Sequence, residues 1–124
     1  AEVLLLNRTP GKARELAQRF GARAAGLDAD GAVLAGSHSD LIVQATSVGM
    51  EPQPLADPFP GYGFSGREVV YELVYAPRKT TFLARAEAAG CTTVPGLEML
   101  LAQARLQFEV FTGRVMPEVG PLPA

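Results

Sequence analysis

A chain of 124 residues, 48% hydrophobic and 19% charged, has the make-up of one globular core rather than of a disordered or membrane-embedded segment. Its net charge of −2 and isoelectric point near 5.4 exclude general affinity for nucleic acid or an anionic membrane, so any anion binding must come from a local group of cations. A single cysteine, Cys91, excludes an internal disulfide or a cysteine metal cluster; no apolar stretch is long enough to span a bilayer and no leader pattern is present, so a cytoplasmic location is expected.

Residues 3–6 are a short continuous apolar run, the pattern of a strand buried on both faces of a parallel sheet. A helix follows at once, with Thr9 as N-cap, Pro10 in the first position, Ala13, Leu16, Ala17 and Phe20 at helical spacing, and Gly21 as its stop. Residues 22–36 carry a weaker pattern, a short strand near 23–27 and then a poorly marked helical turn. His38, the single histidine, lies in a Gly-Ser-His-Ser run that predicts a solvated loop without catalytic partners.

Residues 40–45 read as a second buried strand ending in the small polar pair Thr46-Ser47. Residues 51–66 hold four of the ten prolines and predict a loop. A strand over 68–75 is broken by Ala76-Pro77, a helix over 80–89 ends at Gly90, and 91–94 form a short strand. Pro95-Gly96 opens the longest helix, with Leu97, Leu100, Leu101, Ala104, Phe108 and Phe111 along one side and Gly113 as stop. Residues 1–113 are expected to form one domain and 114–124 an extended tail.

Strands alternating with helices predict an α/β domain, a Rossmann-like and mainly parallel sheet with flanking helices. Ligands gather at the carboxyl ends of strands in such sheets, which picks out Asn7-Arg8-Thr9, Thr46-Ser47, Tyr75 and Gly96. Where dinucleotide folds that take NAD place a carboxylate for the ribose hydroxyls, this strand ends in Asn7-Arg8, and a guanidinium there suits the additional phosphate of NADP. Lys12 and Arg14 lie in a first helical turn, where the helix dipole disfavours cations unless an anion sits among them. An ordinary solvated basic face is the competing reading.

Four stretches, NRTPGK (7–12), QATSVGM (44–50), YELVYAPRKTTFL (71–83) and PGLEMLLAQARLQFEVFTG (95–113), together resemble the NADP-binding half of shikimate dehydrogenase, and cover nearly the whole chain in order. The GLEM and FTG wording is nearest the branch that includes enzymes fused to dehydroquinate dehydratase. The resemblance implies an adenosine-phosphate site at Asn7, Arg8, Thr9 and Lys12, and a nicotinamide end lined by Thr46, Ser47, Leu73 and the Gly96 backbone. It also implies that Tyr75 and Gln103 reach the substrate, shikimate or 3-dehydroshikimate. The family usually has Asn where this chain has Gln44.

The glycine-rich pyrophosphate loop that should follow the first strand is absent, because the sequence begins at what resembles the second strand. Also absent is the substrate domain that brings the family's Lys and Asp for proton transfer, and neither Asp57 nor Lys79 has a motif context to replace them. The chain is therefore expected to be part of a longer polypeptide, inactive by itself, with a sheet that lacks the strand joining its halves. A non-catalytic nucleotide-binding or interaction module stays open beside the enzyme reading, as do a quinate dehydrogenase and a relative such as glutamyl-tRNA reductase.

Overall fold

The computed structural model describes residues 1–118 and 120, and its elements alternate as the sequence predicts. They run β1 Leu4–Asn7, α1 Pro10–Phe20, β2 Arg23–Gly26, α2 Ala29–Gly36, β3 Leu41–Gln44, β4 Val69–Glu72, α3 Thr81–Ala88, β5 Thr92–Val94 and α4 Gly96–Thr112. All strand pairs are parallel, but they form two sheets, β1 beside β2 and a second in the order β3-β4-β5. Residues 4–7 of β1 and 41–46 at β3 line a common cavity of about 440 Å³. No strand pairing joins the two sheets among the described residues.

Local chemistry explains the first half. Thr9 has extended backbone at the N-cap of α1 but makes no side-chain cap bond; Asn7 Oδ1 instead accepts the Thr9 amide at 2.8 Å. Gly21 closes the helix in the left-handed region, φ 64°, and its N–H donates to the Ala17 carbonyl. The stretch expected to hold only a helical turn is the eight-residue α2, because Asp28 caps it by accepting the Gly31 amide at 2.9 Å. A β-carbon on Gly31 would stand 1.9 Å from the Gly26 carbonyl oxygen, so the start of α2 rests directly on the end of β2.

The main core lies with the second sheet. Val70 of β4, Phe82, Leu83 and Ala86 of α3, and Cys91 pack with Phe59 and Tyr62. The last two come from the Pro-rich stretch, which is irregular as expected yet supplies buried aromatics: Phe59 stacks on Tyr62 at 5.6 Å, and Phe64 meets Phe82 edge-on at 5.2 Å. Arg85 pins this loop, donating to Asp57 Oδ2 at 2.5 Å, to the Phe59 carbonyl and to the Tyr62 carbonyl.

Three expectations need correction. β3 is not buried on both faces: Ile42 packs against the core and Gln44 is buried, while Leu41 and Val43 stay exposed on the opposite face. β4 ends at Glu72 rather than running to Tyr75, since the Glu72 carboxylate folds back to accept the Val74 amide at 3.1 Å and draws the chain off the ladder. The apolar side of α4 is only half-buried from Leu97 to Phe108, and Phe111 is 82% exposed; Gly96 is the helix's one fully buried residue. No helix among the described residues is long and apolar enough to cross a membrane.

Candidate functional site

The turn from β1 into α1 brings Asn7, Arg8, Thr9 and Lys12 together. Asn7 is half-buried, with its side chain committed to the Thr9 amide, while Arg8, Thr9 and Lys12 face solvent. No acidic residue occupies the first turn of α1, and none of Arg8, Lys12 and Arg14 forms an ion pair among the described residues. Lys12 and Asn7 also line a cavity of about 340 Å³, whose lining includes Glu15 and Arg19. Cations left without acids at the positive pole of a helix are suited to an anion of ribose-phosphate size.

Across the larger cavity stands the carboxyl end of β3, which pairs with β4. Gln44, 5% exposed, uses both ends of its amide: Nε2 donates to the Val48 carbonyl at 3.1 Å and to Glu72 Oε1 at 3.0 Å, and Oε1 accepts the Thr46 amide at 2.5 Å. Glu72, 0% exposed, accepts the Val74 amide on Oε1 and the Thr80 hydroxyl on Oε2 at 2.9 Å. Burial pushes the Glu72 carboxyl up, against the pull of the Val74 amide, the Thr80 hydroxyl and the Leu73 amide. Thr80 in turn caps α3 by accepting the Leu83 amide at 3.2 Å. Thr46 and Ser47 lie in the exposed turn that this network holds, and the Leu73 amide donates to the Gln44 carbonyl at 3.0 Å. A β-carbon on Gly96 would fall 2.4 Å from the Val74 carbonyl oxygen, so α4 begins backbone-to-backbone against the end of β4.

The family described as "Shikimate 5'-dehydrogenase C-terminal domain" matches residues 96–119. An NADP(+) shikimate dehydrogenase from Halorubrum lacusprofundi is 44% identical over 118 residues, covering 94% of this chain and 42% of that protein. This chain is similar to shikimate dehydrogenases. A solved shikimate 5-dehydrogenase from Thermus thermophilus, in complex with NADP(H) and shikimate, superposes with a TM-score of 0.76 at 37% identity, over 92% of this chain and 41% of that one. The bifunctional 3-dehydroquinate dehydratase/shikimate dehydrogenase of Arabidopsis thaliana is 38% identical over 125 residues, spanning 95% of this chain and 19% of that protein. The chain thus spans about 42% of the shikimate dehydrogenase from Halorubrum that it matches.

Against the shikimate dehydrogenase resemblance, the predicted residues fall into separate groups. Asn7 and Thr46 line the same 440 Å³ cavity from opposite sides, and Leu73 and Gly96 adjoin through the end of β4. Tyr75, 47% exposed, and Gln103, exposed on α4, lie outside both cavities. Asp57 and Lys79, rejected as proton-transfer groups, are held in structural ion pairs with Arg85 and Glu87.

His38 is not the solvated bystander expected: its side chain is 6% exposed and lines the larger cavity. Its Nδ1 lies 3.0 Å from the Leu34 carbonyl, while Nε2, 3.4 Å from Glu2 Oε2, makes no aligned hydrogen bond. Sequence reasoning also missed Glu72 and Thr80, whose only signal is a charged residue inside an otherwise apolar strand pattern, EVVYELVY, followed by a capping threonine.

Proposed function

We propose that this chain is the NADP-binding part of an NADP-dependent shikimate dehydrogenase, which reversibly reduces 3-dehydroshikimate to shikimate in aromatic amino acid biosynthesis, in the cytoplasm. The observation that carries the reading is the pair of exposed cations, Arg8 and Lys12, at a helix N-terminus that holds no acid. Arg8 offers the fork of donors that a phosphate oxygen pair accepts, Lys12 adds a point charge, and Asn7 fixes the turn that presents both.

Residues 1–113 form the nucleotide-binding unit in this reading. Thr46, Ser47, Leu73 and Gly96 line the nicotinamide end, and Tyr75 and Gln103 reach toward the substrate. The cofactor supplies the hydride, and this chain binds and orients it. The remainder of the enzyme brings the substrate domain, the pyrophosphate loop and the proton-transfer groups. Support for such a completing part comes from the cavity between β1 and β3, where two parallel edges, Leu4 to Leu6 and Leu41 to Ala45, face one another without pairing.

The test is Arg8→Ala in the complete polypeptide. Loss of one charged hydrogen-bonded contact, about 1.5–3 kcal/mol, should weaken NADPH roughly ten- to hundredfold and leave NADH nearly unchanged. Equal weakening of the two nucleotides refutes the assignment.

A further inference from the structure

Gln44 and Glu72 are buried polar side chains that the nucleotide site, as assigned, leaves without a task. Their geometry gives them one. Both amide protons of Gln44 are used, on the Val48 carbonyl and on Glu72 Oε1, and its oxygen takes the Thr46 amide. Glu72 takes the Val74 amide on one oxygen and the Thr80 hydroxyl on the other. A flipped Gln44 amide would set oxygen against carboxylate and NH₂ against the Thr46 N–H, so the network admits a single orientation.

An apolar pair of the same volume would fill this part of the core without a hydrogen-bond requirement, and burying a carboxylate costs free energy that such a pair avoids. What the polar pair adds is geometric: the turn after β3 and the backbone after β4 are tied through one link, and Thr80 carries that link to the start of α3. Because Gly96 packs on the Val74 carbonyl, the position of Val74 also sets where α4 begins.

We propose that the Gln44–Glu72 pair is a positioning unit for the nicotinamide end of the pocket. It holds the Thr46 turn and the Leu73–Val74 backbone in one register so that a nicotinamide ring between them has a fixed seat. The inference rests on the nucleotide-binding reading above, and its effect is on hydride transfer rather than on the adenosine-phosphate end.

The experiment uses the complete polypeptide with Gln44→Leu and Glu72→Gln. It measures single-turnover hydride transfer from NADPH and from 4-deuterated NADPH, binding of 2′,5′-ADP as the cofactor's adenosine-phosphate end alone, and thermal melting. Gln44→Leu is expected to slow hydride transfer about tenfold or more, raise the primary isotope effect, and keep 2′,5′-ADP affinity within about twofold. Glu72→Gln keeps an acceptor for Gln44 and Val74 and should retain the rate within about threefold.

An unchanged rate and isotope effect in folded Gln44→Leu overturns the proposal, as does a rate loss no larger than the loss of 2′,5′-ADP affinity. If Gln44→Leu does not fold, Gln44→Met, which keeps the side-chain length but removes the amide donors and acceptor, is judged by the same outcomes. Failure of the unsubstituted protein to bind 2′,5′-ADP overturns the nucleotide-binding reading instead.

Discussion

Glu68 is a buried carboxylate that acid should use to loosen the core. It is 1% exposed, and its oxygens accept the Ser65 amide at 2.8 Å, the Arg67 amide at 3.0 Å, the Tyr62 hydroxyl at 3.1 Å and the Cys91 thiol at 3.3 Å. Burial alone would raise its pKa, but the Ser65 amide, its own amide, the Cys91 thiol and the Ser65 hydroxyl overturn that and hold it at about 2, against an ordinary 4.5. A depressed carboxylate stabilises the fold fully above its unfolded value and loses that contribution as pH falls toward its folded value. At 1.36 kcal/mol per pH unit the difference amounts to about 3 kcal/mol, lost between pH 4.5 and about 2. The assay is urea unfolding of the complete protein and of Glu68→Gln at intervals from pH 6 to 2. The variant should be less stable at pH 6, because an amide NH₂ meets the Ser65 and Arg67 donors, and the gap between the two proteins should close as pH falls. A gap that stays constant over that range refutes the assignment of the acid-labile stability to Glu68.

One further substitution and one chemical probe address packing. Gly31→Ala places a β-carbon 1.9 Å from the Gly26 carbonyl oxygen, so the start of α2 must lift from β2, and a loss of about 1–3 kcal/mol in unfolding free energy is expected; an unchanged unfolding midpoint would show that the helix start has room. Cys91 is buried and burial pushes its thiol up, with Glu68 adding to the rise, so a thiol reagent should label it only at the rate of unfolding. Fast labelling of the native protein at neutral pH would contradict that environment.

How much of this was legible in the residues differs between the two halves of the site. The cationic turn could be read directly: Asn7, Arg8, Thr9 and Pro10 follow a strand without interruption, and a helix N-terminus with Lys12 in it is visible as a local pattern. The other half depends on contacts between residues 28 positions apart, Gln44 and Glu72, and nothing local says that their side chains meet. The same limit applies to α2, where a short apolar run with Gly at both ends gave little helical signal, although Asp28 three residues before Gly31 was a cap in plain view. Tyr75 was placed at a strand end because EVVYELVY reads as continuous strand, whereas the buried Glu72 carboxylate turns the chain three residues earlier.

The two halves of the proposed cofactor site belong to different sheets. Asn7 and Thr46 meet only across the cavity between β1 and β3, so no hydrogen-bond ladder within the described residues fixes the adenosine-phosphate end relative to the nicotinamide end. Leu41 and Val43 stay 56% and 48% exposed beside that cavity, and His38 Nε2 is buried in its wall with no hydrogen-bond partner among the described residues. A parallel strand seated there would pair both free edges, and burying the half of each aliphatic side chain that is still exposed would add about 1 kcal/mol apiece. Under the proposed function, a strand that closed the sheet would couple cofactor affinity to fold stability, because it would also set the distance between Arg8 and Thr46. A nucleotide that spans both ends should accordingly depend on that closure more steeply than 2′,5′-ADP, which needs only the cationic turn.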